Sequence, residues 1–113
     1  MNPDELDPIV QRVLRALYEL AQLDCPAHAG VLARAVGLRS SDIGRVLLVL
    51  DARGLAIAER ARLTLLGLSC AARLPALHLA RAPWLATARA IARQHDASVQ
   101  RVRSRRIGSG EPS

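Results

Sequence analysis

Apolar positions recur at helical spacing through most of the chain, and only near its middle does the period shorten to two. From Pro8 to about Leu23 the residues Ile9, Val10, Val13, Leu14, Leu17, Leu20 and Ala21 line one face of a helix. Asp7 is placed to cap its free amides, and Pro8 suits the first helical position because its missing N–H costs nothing there. Pro26 stops the helix from running on. The stretch AGVLARAV predicts a short second helix, ended by Gly37, which can take the left-handed conformation of a helix cap. Residues 39–55, RSSDIGRVLLVLDARGL, predict a third. There Ser40 or Ser41 acts as cap, Ile43, Val46, Leu47 and Leu50 form the inward stripe, and Gly54 marks the end.

The next segment changes period. In LAIAE the residues Leu55, Ile57 and Glu59 alternate with Ala56 and Ala58, and RLT predicts a returning strand across a loop of Glu59 to Arg62. Thr64 then caps a helix over LLGLSCAARL that Pro75 terminates. A last helix runs from Pro83 to about His95, with Trp84, Leu85, Ala88 and Ile91 as its apolar stripe. The reading is mainly α with a small β-hairpin. Two short helices joined by a glycine-containing turn make a helix-turn-helix, the hairpin after them makes it winged, and helices flank it on both sides. Residues 1–97 form this domain, and 98–113, rich in Arg, Ser and Gly, read as a flexible basic tail.

Composition sharpens the picture. Of 113 residues half are apolar, enough for one globular domain, but Phe is absent and Tyr18 and Trp84 are the only aromatics. Aliphatic side chains must fill the interior, which suits helices better than a β-sandwich. All sixteen basic residues are arginine, and the net charge is +6. Residues 1–24 carry five acids and two arginines, whereas the remainder carries fourteen arginines and five acids. A basic body of this kind points to a polyanionic partner, most commonly nucleic acid.

Other classes lose ground. The N-terminus lacks a basic start and an apolar signal core, and the longest aliphatic run, VLLVL at 46–50, falls far short of the roughly 20 residues a membrane span needs. No membrane contact and a cytoplasmic location are therefore expected. Cys25 and Cys70 do not make a disulfide framework. Cys25 and His28 are spaced like one half of a metal site, and Cys70, His78 and His95 are the candidates to complete it, but no two close pairs occur as zinc sites require. Buried thiols and surface histidines are the expectation, with no metal and no cofactor. No nucleophile, phosphate-loop or paired-carboxylate motif marks an enzyme.

The stretch from Leu32 to Gly67, LARAVGLRSSDIGRVLLVLDARGLAIAERARLTLLG, resembles the winged helix-turn-helix transcriptional regulators of the MarR and ArsR groups. The features that carry the resemblance are Leu32-Ala33, Gly37-Leu38, Leu50 with Gly54-Leu55, and Leu63-Thr64 with Gly67. It covers about a third of the chain. What it implies is a sequence-specific DNA-binding regulator whose helix at about 41–53 enters the major groove, with a wing at about 59–62.

With the apolar stripe turned inward, the outer face of that helix carries Ser41, Asp42, Gly44, Arg45, Leu48, Val49, Ala52 and Arg53. Arg45, one turn in, is placed to pair with a guanine edge. Arg39, Ser40 and Ser41 stand where a helix N-terminus meets phosphate, and Arg60 and Arg62 lie on the wing. Asp42 opposes phosphate, and the apolar Leu48 and Val49 suit a protein contact instead. The alternative reading is accordingly a winged-helix protein-interaction module using that face. The resemblance also implies a homodimer built by the first and last helices, with Leu14, Leu17, Trp84, Leu85 and Ile91 at the interface.

Overall fold

A computed structural model of the chain describes residues 3–94; the basic tail, 98–113, and His95 lie outside the described residues. After a single 3-10 turn at Pro3–Glu5, helix α1 spans Pro8–Gln22, α2 Ala29–Val36 and α3 Ser40–Ala52. Strands β1 (Ala56–Ile57) and β2 (Arg62–Leu63) form an antiparallel hairpin, followed by α4 (Leu65–Ala71) and a 3-10 turn at Leu79–Arg81. A fifth helix, α5, occupies residues 84–94.

The caps explain where the helices begin and end. Asp7 accepts the Ile9 N–H at 2.9 Å, and Pro8 opens α1 as its chemistry requires. At the far end of α1 the Cys25 N–H returns to the Leu20 carbonyl at 2.9 Å, with Asp24 held at φ +54°. Gly37 and Gly54 close α2 and α3 in the same way, at φ +73° and +72°. The Leu38 and Leu55 amides bond back to Ala33 and Leu50 at 3.1 and 2.9 Å. Leu55 is thereby drawn fully into the interior, and Leu38 is half-buried against it.

α1 is the spine of the core. Val13, Leu14, Ala16, Leu17 and Leu20 are buried against Val31, Leu32 and Val36 of α2 and Ile43, Leu47 and Leu50 of α3. Glu19 is the one buried charged residue among those described. Its carboxylate accepts the Leu77 N–H at 2.7 Å, the Leu79 N–H at 2.9 Å and the Arg15 Nε–H at 2.8 Å, while Arg15 also donates to the Ala71 carbonyl at 3.1 Å. One carboxylate on α1 thus fastens the irregular 75–79 segment to the helical core.

Three expectations need correction. The first concerns the alternation in LAIAE. Leu55 and Ala56 are both buried, and Ile57 is exposed. The turn that ends α3 claims Leu55, so the two-residue period starts only at Ala56. The second concerns the hairpin connection, which is Ala58 to Ala61. A 3-10 turn at Ala58–Arg60 and Ala61 at φ +48° close it one residue early, and Arg62 pairs with Ile57 inside the ladder. The third concerns α4, which stops at Ala71. Turns at Arg73 and Leu74 use up its last carbonyls before Pro75 is reached.

Candidate nucleic-acid interface

The site is built on α2, the Gly37-Leu38 turn and α3. Burial of Ile43, Leu47 and Leu50 fixes the rotation of α3, and Val46 is half-buried beside them. Arg45 therefore faces solvent, as do Ser41, Gly44, Ala52 and Arg53. Asp42 is half-buried rather than fully outward.

The start of α3 differs from the expected cap. Neither Ser40 nor Ser41 occupies the cap position; Arg39 does, with extended backbone and no side-chain bond. Its carbonyl accepts the amides of Asp42 and Ile43 at 3.0 and 3.1 Å. The exposed serines begin the helix proper, so no side chain covers the amides of its first turn. That leaves donors and a partial positive charge at the end of α3 where Arg39 also stands.

The hairpin packs beside α3 through a contact that composition does not announce. The Asp51 carboxylate Oδ2 accepts the Ala58 N–H at 2.8 Å, tying the α3 C-terminal turn to the start of the hairpin turn. Asp51 reads from the sequence as a solvated charge; its position one residue before the end of α3 and seven before Ala58 is the signal that could have found it. Behind the hairpin, the Thr64 hydroxyl donates to the Gly54 carbonyl at 2.6 Å and accepts the Gly67 N–H at 3.1 Å. One side chain joins the end of α3 to the start of α4.

Arg39, Arg45, Arg53, Arg60 and Arg62 are all exposed. Among the described residues the ion pair found is Arg15–Glu19, so these five guanidiniums are uncompensated there. The fold places Arg60 on the turn that abuts α3 and Arg62 on the returning strand. With two residues per strand the hairpin extends only about 7 Å. The same face carries Leu48 at 65 % and Val49 at 42 % exposure, with Ile57 at 42 % on β1.

The residues expected between two copies are differently placed in the chain. Leu14, Leu17 and Leu85 are buried within the chain itself, because α1 is covered by α2, α3, α4 and the 79–85 segment. Trp84 is half-buried and Ile91 is 61 % exposed. Both line a groove of about 520 Å³ between α2 and α5.

Cys25 and Cys70 are buried and are not joined in a disulfide, and burial pushes the Cys25 thiol above its ordinary range despite the Arg89 charge nearby. His28 and His78 are exposed. Among the described residues no three His, Cys, Asp or Glu side chains converge as metal ligands. No helix there is long and apolar enough to cross a membrane. The chain matches no family model, no curated protein and no solved structure.

Proposed function

We propose that the chain is a sequence-specific DNA-binding regulator of the winged helix-turn-helix kind, with α3 entering the major groove. The observation that carries this reading is Arg45, exposed and without an ion pair among the described residues, one turn into a helix whose opposite face is locked into the core. A guanidinium there presents two parallel donors to a guanine edge, worth about 1–3 kcal/mol of discrimination. Arg39 and the open amides at the start of α3 hold phosphate, and Arg60 and Arg62 reach the neighbouring backbone. The excess of arginine after residue 24 supplies the long-range attraction.

The test is enrichment of duplexes from a random library, followed by gel shifts at two salt concentrations. Arg45→Ala should weaken the enriched duplex by roughly tenfold or more while changing random duplex little. Arg60→Ala and Arg62→Ala should weaken both about equally. Equal loss on both duplexes with Arg45→Ala, or no enrichment at all, sinks the reading.

A second reading is favoured by Leu48 and Val49, whose exposure puts an apolar patch in the middle of the same face. A winged helix that docks a protein through that patch would lose its partner with Leu48→Asp and keep it with Arg45→Ala.

A further inference from the structure

The groove between α2 and α5 is independent of the α3 face. One wall is the ridge Trp84, Ala88, Ile91 and Ala92 of α5, and the other is Val31 and Arg34 of α2. Its volume of about 520 Å³ lies within the range of small-molecule sites. The trough exists because Gly30, Ala88 and Ala92 bring almost no side chain into it. Along α5 the lining runs from residue 84 to 92, eight steps, or about 12 Å.

Its chemistry is one-sided. Among the described residues the lining contains the cation of Arg34 and no acidic residue. The Arg34 guanidinium lies 5.9 Å from the Trp84 ring centre, so it is stationed at the Trp84 end and held there by the ring. It makes no ion pair with a described residue. Pro26 and His28, just before α2, also line it. Between the ends the walls are mostly aliphatic, and Ile91 is left 61 % exposed.

We propose that this groove binds an aliphatic carboxylate, its head group on Arg34 beside Trp84 and its chain along Val31, Ala88 and Ile91. An extended chain of roughly eight to ten carbons spans the same length. The Arg34 guanidinium selects the anion, and the small-residue trough selects a slender apolar body over a bulky one. The site does not depend on whether α3 binds DNA.

Trp84, the only tryptophan, reports occupancy of the groove directly. Octanoate titrated into the full chain should change its emission saturably, with octanol and butyrate each weaker by roughly tenfold, the one lacking the charge and the other the chain. Arg34→Gln should reduce octanoate affinity by a similar factor and leave octanol unchanged. Ile91→Asp, at an exposed position, should abolish octanoate binding with the helical circular dichroism intact. The proposal is overturned by the absence of a saturable response, by octanoate and octanol titrating alike, or by Arg34→Gln binding as the wild type does. It is equally overturned if the chain sediments as a dimer that Ile91→Asp dissociates and that octanoate does not disturb, since a second copy then fills the groove. Gel shifts play no part, so these outcomes are separate from those for α3.

Discussion

Glu19 shows how a single side chain can carry a connection between segments that are far apart in sequence. Burial alone would push its carboxyl pKa up, but the Leu77 and Leu79 amides and the Arg15 guanidinium outweigh that and hold it below 4.5. A carboxylate depressed in the folded chain contributes stability that is present above its unfolded pKa and lost as pH falls through the folded value. Urea midpoints of the wild type should therefore fall as pH drops through and below the ordinary carboxylate range. Glu19→Gln should cost about 2 kcal/mol at neutral pH, where an amide replaces an acceptor of charged and backbone donors. It should also flatten the acid limb; an acid limb as steep as that of the wild type would show that the stabilising carboxylate lies elsewhere.

At the scale of elements, the hairpin and α4 depend on one close approach. A Cβ at Gly67 would sit 1.8 Å from the Leu55 carbonyl oxygen, an impossible distance, so α4 rests its glycine directly on the chain leaving α3. That choice turns α4 inside out. Gly67, Cys70 and Ala71 face inward, and Leu65 is left 87 % exposed with Leu66 and Leu68 partly so. Gly67→Ala should destabilise by about 3 kcal/mol, although Ala is ordinarily the better helix former by about 1 kcal/mol. Equal or greater stability in a urea melt would mean that α4 does not lie against Leu55. Leu-Thr-x-x-Gly marks this junction in the sequence through the Thr64 cap, but the inverted face of α4 is not legible, because helical periodicity assigns leucines to the inside by default.

For the whole molecule, the question is whether the apolar arc of α1 is spent within one chain or shared between two. Leu14 is fully buried by elements of the same chain. Leu14→Ala should accordingly cost about 2–5 kcal/mol. The loss should be the same at low and high protein concentration. A loss of stability that depends on concentration would restore α1 to an interface between copies.

The sequence by itself determined what depends on neighbours a few residues away. Asp7 and Pro8 opened α1, Gly37 and Gly54 ended α2 and α3, and Thr64 capped α4, because caps and left-handed glycines act over one turn of chain. The stripe of α3 was readable for the same reason, and with it the exposure of Arg45, Leu48 and Val49. Tertiary structure decided the rest. Which apolar residues of α1 and α5 stay exposed depends on which elements close over them, so Leu14, Leu17 and Leu85 are in the core while Ile91 is not. Glu19 and Asp51 look like solvated charges until segments 58 and 7 residues away present amides to them. The groove beside Arg34 exists only because α2 and α5, about fifty residues apart, meet with small side chains between them. Periodicity records which side of a helix is apolar; only packing decides what covers that side.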